Sequence, residues 1–75
     1  MQELEIRGDT IRLGQLLKLA GLIDSGAEAK ALLADQRVRV NGQPESRRGR
    51  QLHDGDLVAV GEEELRVSAT PQRGS

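Results

Sequence analysis

The sequence predicts an α+β fold, in which a two-helix hairpin packs on a small antiparallel sheet of three to five short strands. Two observations lead to this prediction. Apolar residues recur with the period of a helix between residues 11 and 35, and with the period of a strand from residue 37 onward. Turn-forming residues separate these segments, and the 75 residues suffice for one small core.

A short strand and a first helix open the predicted fold. Residues 3–7 alternate polar and apolar side chains, which predicts an edge strand. A helix is expected over residues 11–20, with Asp9 or Thr10 as its N-terminal cap. Its buried face is expected to consist of Leu13, Leu16, Leu17 and Ala20, which follow the helical period.

A second helix is predicted over residues 26–35. Ser25 and Glu28 have the spacing of a capping box, in which the serine side chain accepts a backbone hydrogen bond from the first turn. The expected buried face is Ala29, Leu32 and Leu33. Because only a short connection joins the two amphipathic helices, we expect them to form a helical hairpin.

Short strands follow in the second half of the chain. Residues 37–40 alternate arginine and valine, so the two arginines are expected on one face of a strand and the valines on the other. Asn41-Gly42 predicts a type I′ turn, because both central residues of that turn need a positive φ. Residues 43–45 are expected to return as an edge strand, and residues 57–60 and 65–67 as two further strands.

The composition excludes several classes of protein. There is no cysteine, one histidine and no phenylalanine, tyrosine or tryptophan, so disulfides and thiolate or multi-histidine metal sites are excluded. Only His53 and the planar guanidinium groups of arginine could stack on a base. No apolar run approaches the roughly 18 residues that span a membrane. We therefore expect a soluble, cytoplasmic monomer without cofactor, metal, membrane association or small-molecule substrate. Residues 1–68 are expected to form one domain, and residues 69–75 a disordered tail.

Charge is balanced over the chain but segregated along it. The net charge is −1, whereas residues 12–50 carry eight basic and four acidic side chains, and both flanking segments are acidic. Nine of the eleven basic residues are arginine, whose planar fork suits phosphate groups. A helix, a hairpin and a loop that each carry basic side chains suit the backbone of structured nucleic acid. The candidate binding residues are Arg12, Lys30, Arg37, Arg39, Asn41, Arg47, Arg48 and Arg50.

No catalytic site is predicted. The residue types of a hydrolytic triad are present as Ser25, Ser46, His53 and Asp54, but no sequence around them forms a nucleophile elbow or an oxyanion turn. The acidic residues between 54 and 64 lack the spacing of a calcium loop. We therefore expect a protein that binds its ligand without catalysing a reaction.

Several short motifs follow one another in a characteristic order between residues 12 and 60. They are Arg12-Leu13, Leu17, Ala20-Gly21-Leu22, Ser25, Ala29-Lys30, Leu33, Val38-Arg39-Val40-Asn41-Gly42 and Gly55-Asp56. In this order and spacing they resemble the S-four RNA-binding domain, also called the alpha-L motif. The strings Ser25–Lys30 and Arg47–Arg50 are similar to those of its small stand-alone bacterial members.

The resemblance implies that the ligand is RNA, either ribosomal or transfer RNA, bound without catalysis. Two positions depart from the family pattern. Gly14 stands where many members have aspartate, and Gly26 stands where many have arginine. Because a usual phosphate contact is thereby absent from the second helix, we expect Arg37, Arg39 and the loop at residues 47–50 to make more of the contacts.

Two other functions remain open on the sequence. An opening strand, a leucine-rich helix and the Val-Asn-Gly and Gly-Asp-Leu-Val strings also occur in ubiquitin-like sulfur-carrier or protein-interaction domains. Those carriers end in Gly-Gly, however, and they have no place for the capped second helix. A DNA-binding helix-turn-helix protein would read bases with the second helix, whose exposed face has few suitable side chains.

Overall fold

The computed structural model describes residues 2–70, which form two helices and seven strands. The elements are β1 (Gln2–Arg7), β2 (Thr10–Arg12), α1 (Leu13–Leu19), α2 (Gly26–Ala34), β3 (Val38–Val40), β4 (Gln43–Pro44), β5 (Gln51–His53), β6 (Leu57–Val60) and β7 (Glu63–Thr70). The α+β class is thus confirmed. Neither helix of the described chain is long and apolar enough to cross a membrane.

The strands form two sheets. The larger sheet has the order β1-β7-β6-β3-β4, and β2 pairs with β5 in a separate two-stranded sheet. The prediction of one antiparallel sheet is therefore wrong, because β1 runs parallel to β7 and makes the larger sheet mixed. This pairing joins the two ends of the described chain, so the local pattern of either strand could not reveal its direction.

One cluster of buried side chains joins both helices to both sheets. The cluster contains Ile6, Leu13, Leu16, Leu17, Ile23, Ala29, Leu33, Val38, Val40, Leu52, Val58, Leu65 and Val67. The predicted faces of the two helices supply five of these residues, while Ala20 and Leu32 pack against the cluster and are partly buried. The amphipathic patterns therefore identified the inner faces of the helices correctly.

The first helix begins two residues later than predicted. Residues 10–12 form β2 instead of a first helical turn, and Ile11 pairs with Leu52 of β5. The predicted cap by Asp9 or Thr10 is therefore wrong, and α1 has no side-chain cap at its N-terminus. Its first backbone N–H groups are satisfied by a loop from another part of the chain, which is described below.

Local signals predicted α2 and the hairpin well. The Ser25 hydroxyl accepts a hydrogen bond from the backbone N–H of Glu28 at 3.4 Å, as a capping serine does. Asn41 has φ of 53° and Gly42 has φ of 85°, which confirms that both turn residues adopt positive φ. Pro44 lies in β4, at the edge of the larger sheet, as predicted.

The last described strand is longer than predicted. β7 continues through Ala69 and Thr70, which pair with Ile6 and Arg7 of β1. The sequence had assigned these two residues to the tail, because neither β7 nor β1 shows its pairing partner locally. Residues 71–75, the rest of the predicted tail, lie outside the described residues.

Candidate nucleic-acid interface

The loop between β4 and β5, residues 45–50, is folded around one buried carboxylate. Glu45 is only 7% exposed. Its Oε2 accepts hydrogen bonds from the backbone N–H groups of Ser46 and Arg47, each at 3.0 Å. The carboxylate also pairs with the guanidinium groups of Arg47 at 3.3 Å and of Arg50 at 3.0 Å. We call Glu45, Arg47 and Arg50 the Glu45 clamp.

The clamp keeps Glu45 ionised. Hydrogen bonds from the side chains of Arg47 and Arg50, and from the backbone of Arg47, lower the pKa of Glu45 from 4.5 to about 2, although burial works in the opposite direction. The same contact raises the pKa of Arg47. Within the clamp, opposite charges are thus held together, and two of the three loop arginines are drawn toward Glu45.

The loop also docks on the start of α1. The backbone N–H of Leu13 donates to the carbonyl of Arg50 at 2.8 Å, and that of Gly14 donates to the carbonyl of Arg48 at 3.0 Å. These carbonyls satisfy N–H groups that the first turn of any helix leaves without a partner. The loop therefore takes the place of the missing side-chain cap and is fixed against the helix.

Arg48 differs from its two neighbours in the loop. It forms no ion pair within 4.0 Å among residues 2–70. Its side chain instead crosses Gly14 and ends beside Gly26. A Cβ atom at Gly14 would lie 2.6 Å from Cγ of Arg48, and one at Gly26 would lie 3.3 Å from its Nη1. Since Cβ contacts shorter than 3.0 Å are essentially never seen, the path of Arg48 requires glycine at position 14.

Two open clefts flank the Arg48 side chain. The α1–α2 cleft, of about 360 Å³, has Arg12, Lys18 and Arg48 as its charged lining residues. The α2–loop cleft, of about 460 Å³, has Lys30 and Arg48. Among residues 2–70, no acidic side chain lines either cleft. We call Arg12, Lys18, Lys30 and Arg48 the basic helix face.

Three of the eight candidate residues thus come together at the clefts, and the hairpin arginines do not join them. Val38 and Val40 are buried, so Arg39 between them points to the opposite face of the sheet. There it lies beside Ala59 of β6. Arg37 is exposed in the connection between α2 and β3, and it lines neither cleft.

The structure gives Asn41 internal partners. Its Nδ2 donates to Oδ1 of Asp56 at 3.1 Å, and its Oδ1 accepts from the backbone N–H of Leu57 at 2.9 Å. Burial raises the pKa of Asp56, but hydrogen bonds from the His53 backbone and the Asn41 amide outweigh it, so that this pKa falls below its ordinary value. Asn41 therefore ties the hairpin tip to the turn before β6.

Sequence reasoning missed two contributors to the site. Lys18 lies four residues after Gly14, so both fall on one side of α1, and this spacing could have revealed it. Glu45 is the one acidic residue among five arginines between positions 37 and 50, and such an isolated charge is a signal for ion pairing. The position of Arg48 over the two helices had no local signal, because it depends on how the loop docks.

Comparison with known families assigns the chain to one of them. Residues 4–68 match the family model of the S4 domain. The chain belongs to the S4 domain family. The resemblance to the S-four domain is thereby confirmed, and the match covers both helices, the basic loop and nearly all of both sheets.

Two curated relatives of this S4 domain are similar over most of their own length. One is the probable ribosome maturation protein RlbA of Bacillus subtilis (strain 168), which is 47% identical over 57 residues, 76% of this chain and 80% of the relative. The other, from Escherichia coli (strain K12), is provisionally named the RNA-binding protein YbcJ. It is 36% identical over 59 residues, 79% of this chain and 84% of the relative.

Proposed function

We propose that this S4 domain binds structured RNA without catalysing a reaction, and that the basic helix face holds phosphates of the RNA backbone. The observation that carries the proposal is the pair of clefts lined by Arg12, Lys18, Lys30 and Arg48 without a lining carboxylate among residues 2–70. Family membership and the names of the two relatives support the same ligand.

The chemistry of the face favours phosphate recognition over base recognition. The chain has no phenylalanine, tyrosine or tryptophan on which a base could stack. Lysine and arginine in open clefts instead provide point charges and planar forks for phosphate oxygens. Because the net charge of the chain is −1, attraction to a polyanion has to come from a local cluster of cations. We therefore propose that the domain reads the shape of folded RNA through its backbone.

Ribosomal RNA is the RNA class that we propose first. The relative with 47% identity is named for ribosome maturation, and it is similar over 80% of its length. Transfer RNA, the other class that the sequence left open, is the natural comparison in a binding experiment. The ubiquitin-like alternative is disfavoured by membership in the S4 family and by α2, which such domains lack at this position.

Salt dependence of RNA affinity tests the proposal. We expect the affinity for ribosomal RNA fragments to fall linearly with salt on logarithmic axes between about 50 and 200 mM. Alanine at Arg12, Lys18 or Lys30 should reduce the slope by about 0.7 to 0.9 for each phosphate that the variant no longer neutralises. Fluorescence anisotropy with ribosomal RNA, transfer RNA and duplex DNA of equal length measures both quantities.

Arg66→Ala is the matched control for charge. Arg66 is an exposed residue of β7 and lines neither cleft, so its removal should leave the slope unchanged. Salt-independent binding, tighter binding to duplex DNA, or an equal effect of Arg66→Ala and Lys18→Ala would contradict the proposal.

A further inference from the structure

One side chain is shared by both clefts of the basic helix face. Among the described residues, Arg48 is the only one that lines the α1–α2 cleft with Arg12 and Lys18 and also the α2–loop cleft with Lys30. The two clefts are therefore neighbours, and the Arg48 side chain forms the wall between them. A chain of phosphates that occupied both clefts would have to pass this side chain.

Two sets of contacts hold the Arg48 side chain in place. First, the side chain lies against Gly14 and Gly26, where the absence of a Cβ atom leaves room for it. Second, the backbone is fixed: the carbonyl of Arg48 accepts a hydrogen bond from the N–H of Gly14, and the Glu45 clamp holds the loop on both sides of Arg48. Arg48 is thus the one loop arginine whose backbone is fixed while its guanidinium remains without an ion-pair partner among residues 2–70.

The chemistry of arginine suits a position between two anions. A guanidinium group has five N–H donors in one plane, so two edges can face two different phosphates. An ammonium group has no such fork and acts as a single point charge. Lys18 and Lys30, one in each cleft, supply that kind of charge on either side of Arg48.

We propose that Arg48 bridges two successive phosphates of one RNA strand, one in each cleft, and that Gly14 is the residue that makes this possible. The inference rests on the proposed function and adds to it the arrangement of the ligand: one strand passes from the α1–α2 cleft to the α2–loop cleft, beside the second half of α2, with a phosphate on each side of Arg48.

Gly14→Ala tests whether the absence of a Cβ atom at position 14 positions the Arg48 side chain. Gly14 lies within α1 and does not have a positive φ, so alanine is compatible with the helix and should leave the unfolding temperature equal or higher. The added Cβ should displace Arg48 and lower RNA affinity about as much as Arg48→Ala does, by roughly 10- to 100-fold. In the Arg48→Ala background, Gly14→Ala should cause no additional loss.

Arg48→Lys tests the bridge itself, since it retains the charge and loses the fork. We expect it to bind RNA almost as weakly as Arg48→Ala. We also expect the losses of RNA affinity caused by Arg48→Ala and by either Lys18→Ala or Lys30→Ala to be non-additive in free energy. The losses caused by the two lysine variants should instead multiply in a double variant. Folding of each variant is checked by its unfolding temperature.

The outcomes separate this inference from the function beneath it. If the wild-type protein shows no salt-dependent binding to RNA, the proposed function itself fails. If the wild type binds as expected but Gly14→Ala binds equally well, or Arg48→Lys restores full affinity, or the Arg48 and Lys30 effects simply multiply, the bridge is refuted while RNA binding stands.

Discussion

The three arginines at positions 47, 48 and 50 have the same side chain but different surroundings. Arg47 and Arg50 pair with Glu45, and Arg48 extends over Gly14 toward the clefts. The sequence analysis predicted all three as phosphate contacts, because residue type alone could not distinguish them. The difference arises from the buried carboxylate, which orders the loop through two arginines and thereby positions the third.

Glu45→Gln should destabilise the protein. The substitution keeps the size of the side chain and removes the charge, so that Arg47 and Arg50 lose their partner. Loss of charge-assisted hydrogen bonds of this kind costs about 1 to 3 kcal/mol, which chemical denaturation can measure. Glu62→Gln, in the exposed turn before β7, is the control and should have little effect. An equal stability of Glu45→Gln and the wild type would show that the clamp does not hold the loop.

The stability of the protein should depend on pH through Glu45. The folded state lowers the pKa of Glu45 from 4.5 to about 2, so its contribution is fully present above about pH 4.5 and is lost as the pH falls toward 2. The difference in unfolding free energy between wild type and Glu45→Gln should therefore shrink across this range. A difference that stays constant between about pH 5 and pH 2 would argue against an ionised clamp.

At the level of elements, the sequence predicted features that depend on neighbouring residues but missed pairings between distant segments. The cap at Ser25 and the turn at Asn41-Gly42 depend on a few neighbouring residues, and both were predicted correctly. β2 and the parallel partner of β1 depend on segments about 40 and 60 positions away, and neither was predicted. Ile11 illustrates the difficulty, because it directly precedes the leucine stripe of α1 and yet pairs with Leu52 in β2.

The hairpin between β3 and β4 offers a test at this scale. Asn41→Gly retains the positive φ and loses the amide contacts to Asp56 and Leu57, whereas Asn41→Ala loses both features. We expect both variants to be less stable than the wild type, with Asn41→Ala lower by about a further 1 kcal/mol. Thermal unfolding measures this order.

The same variants examine Asn41 as a candidate RNA contact. Because its amide has internal partners at both ends, folded Asn41→Gly should retain the RNA affinity of the wild type. A reduction of affinity comparable to that of Lys30→Ala would instead support the contact that the sequence predicted.

At the level of the whole molecule, part of the acidic charge lies on elements that do not line the clefts, whereas Asp24, Glu28 and Asp35 flank or lie in α2. Acidic residues lie on β1 and β7, at one edge of the larger sheet, and in the turn between β6 and β7. The basic helix face carries the cations that line the clefts. The sequence located the basic segment, residues 12–50, but it could not show that Arg39 turns away from that face, because this depends on which side of β3 the helices cover.

Removal of the acidic charges at residues 62–64 should have little effect on RNA affinity. The triple variant Glu62→Gln, Glu63→Gln and Glu64→Gln removes three negative charges and raises the net charge from −1 to +2. The three residues line neither cleft, and at physiological salt interactions between exposed charges are largely screened beyond about 8 Å, so we expect a change in affinity below about threefold. A much larger gain would indicate that net charge, and not the local cluster, controls binding.

The position of the RNA on the protein tests the account most directly. Backbone amide chemical shifts, followed by NMR as ribosomal RNA fragments are added, report which elements the RNA contacts. We expect the largest changes in α1, in α2 and in the loop at residues 45–50, with little change around Arg39 and Arg66. Changes concentrated on β3, β6 and β7, with the two helices unaffected, would contradict the assignment of the basic helix face as the RNA-binding surface.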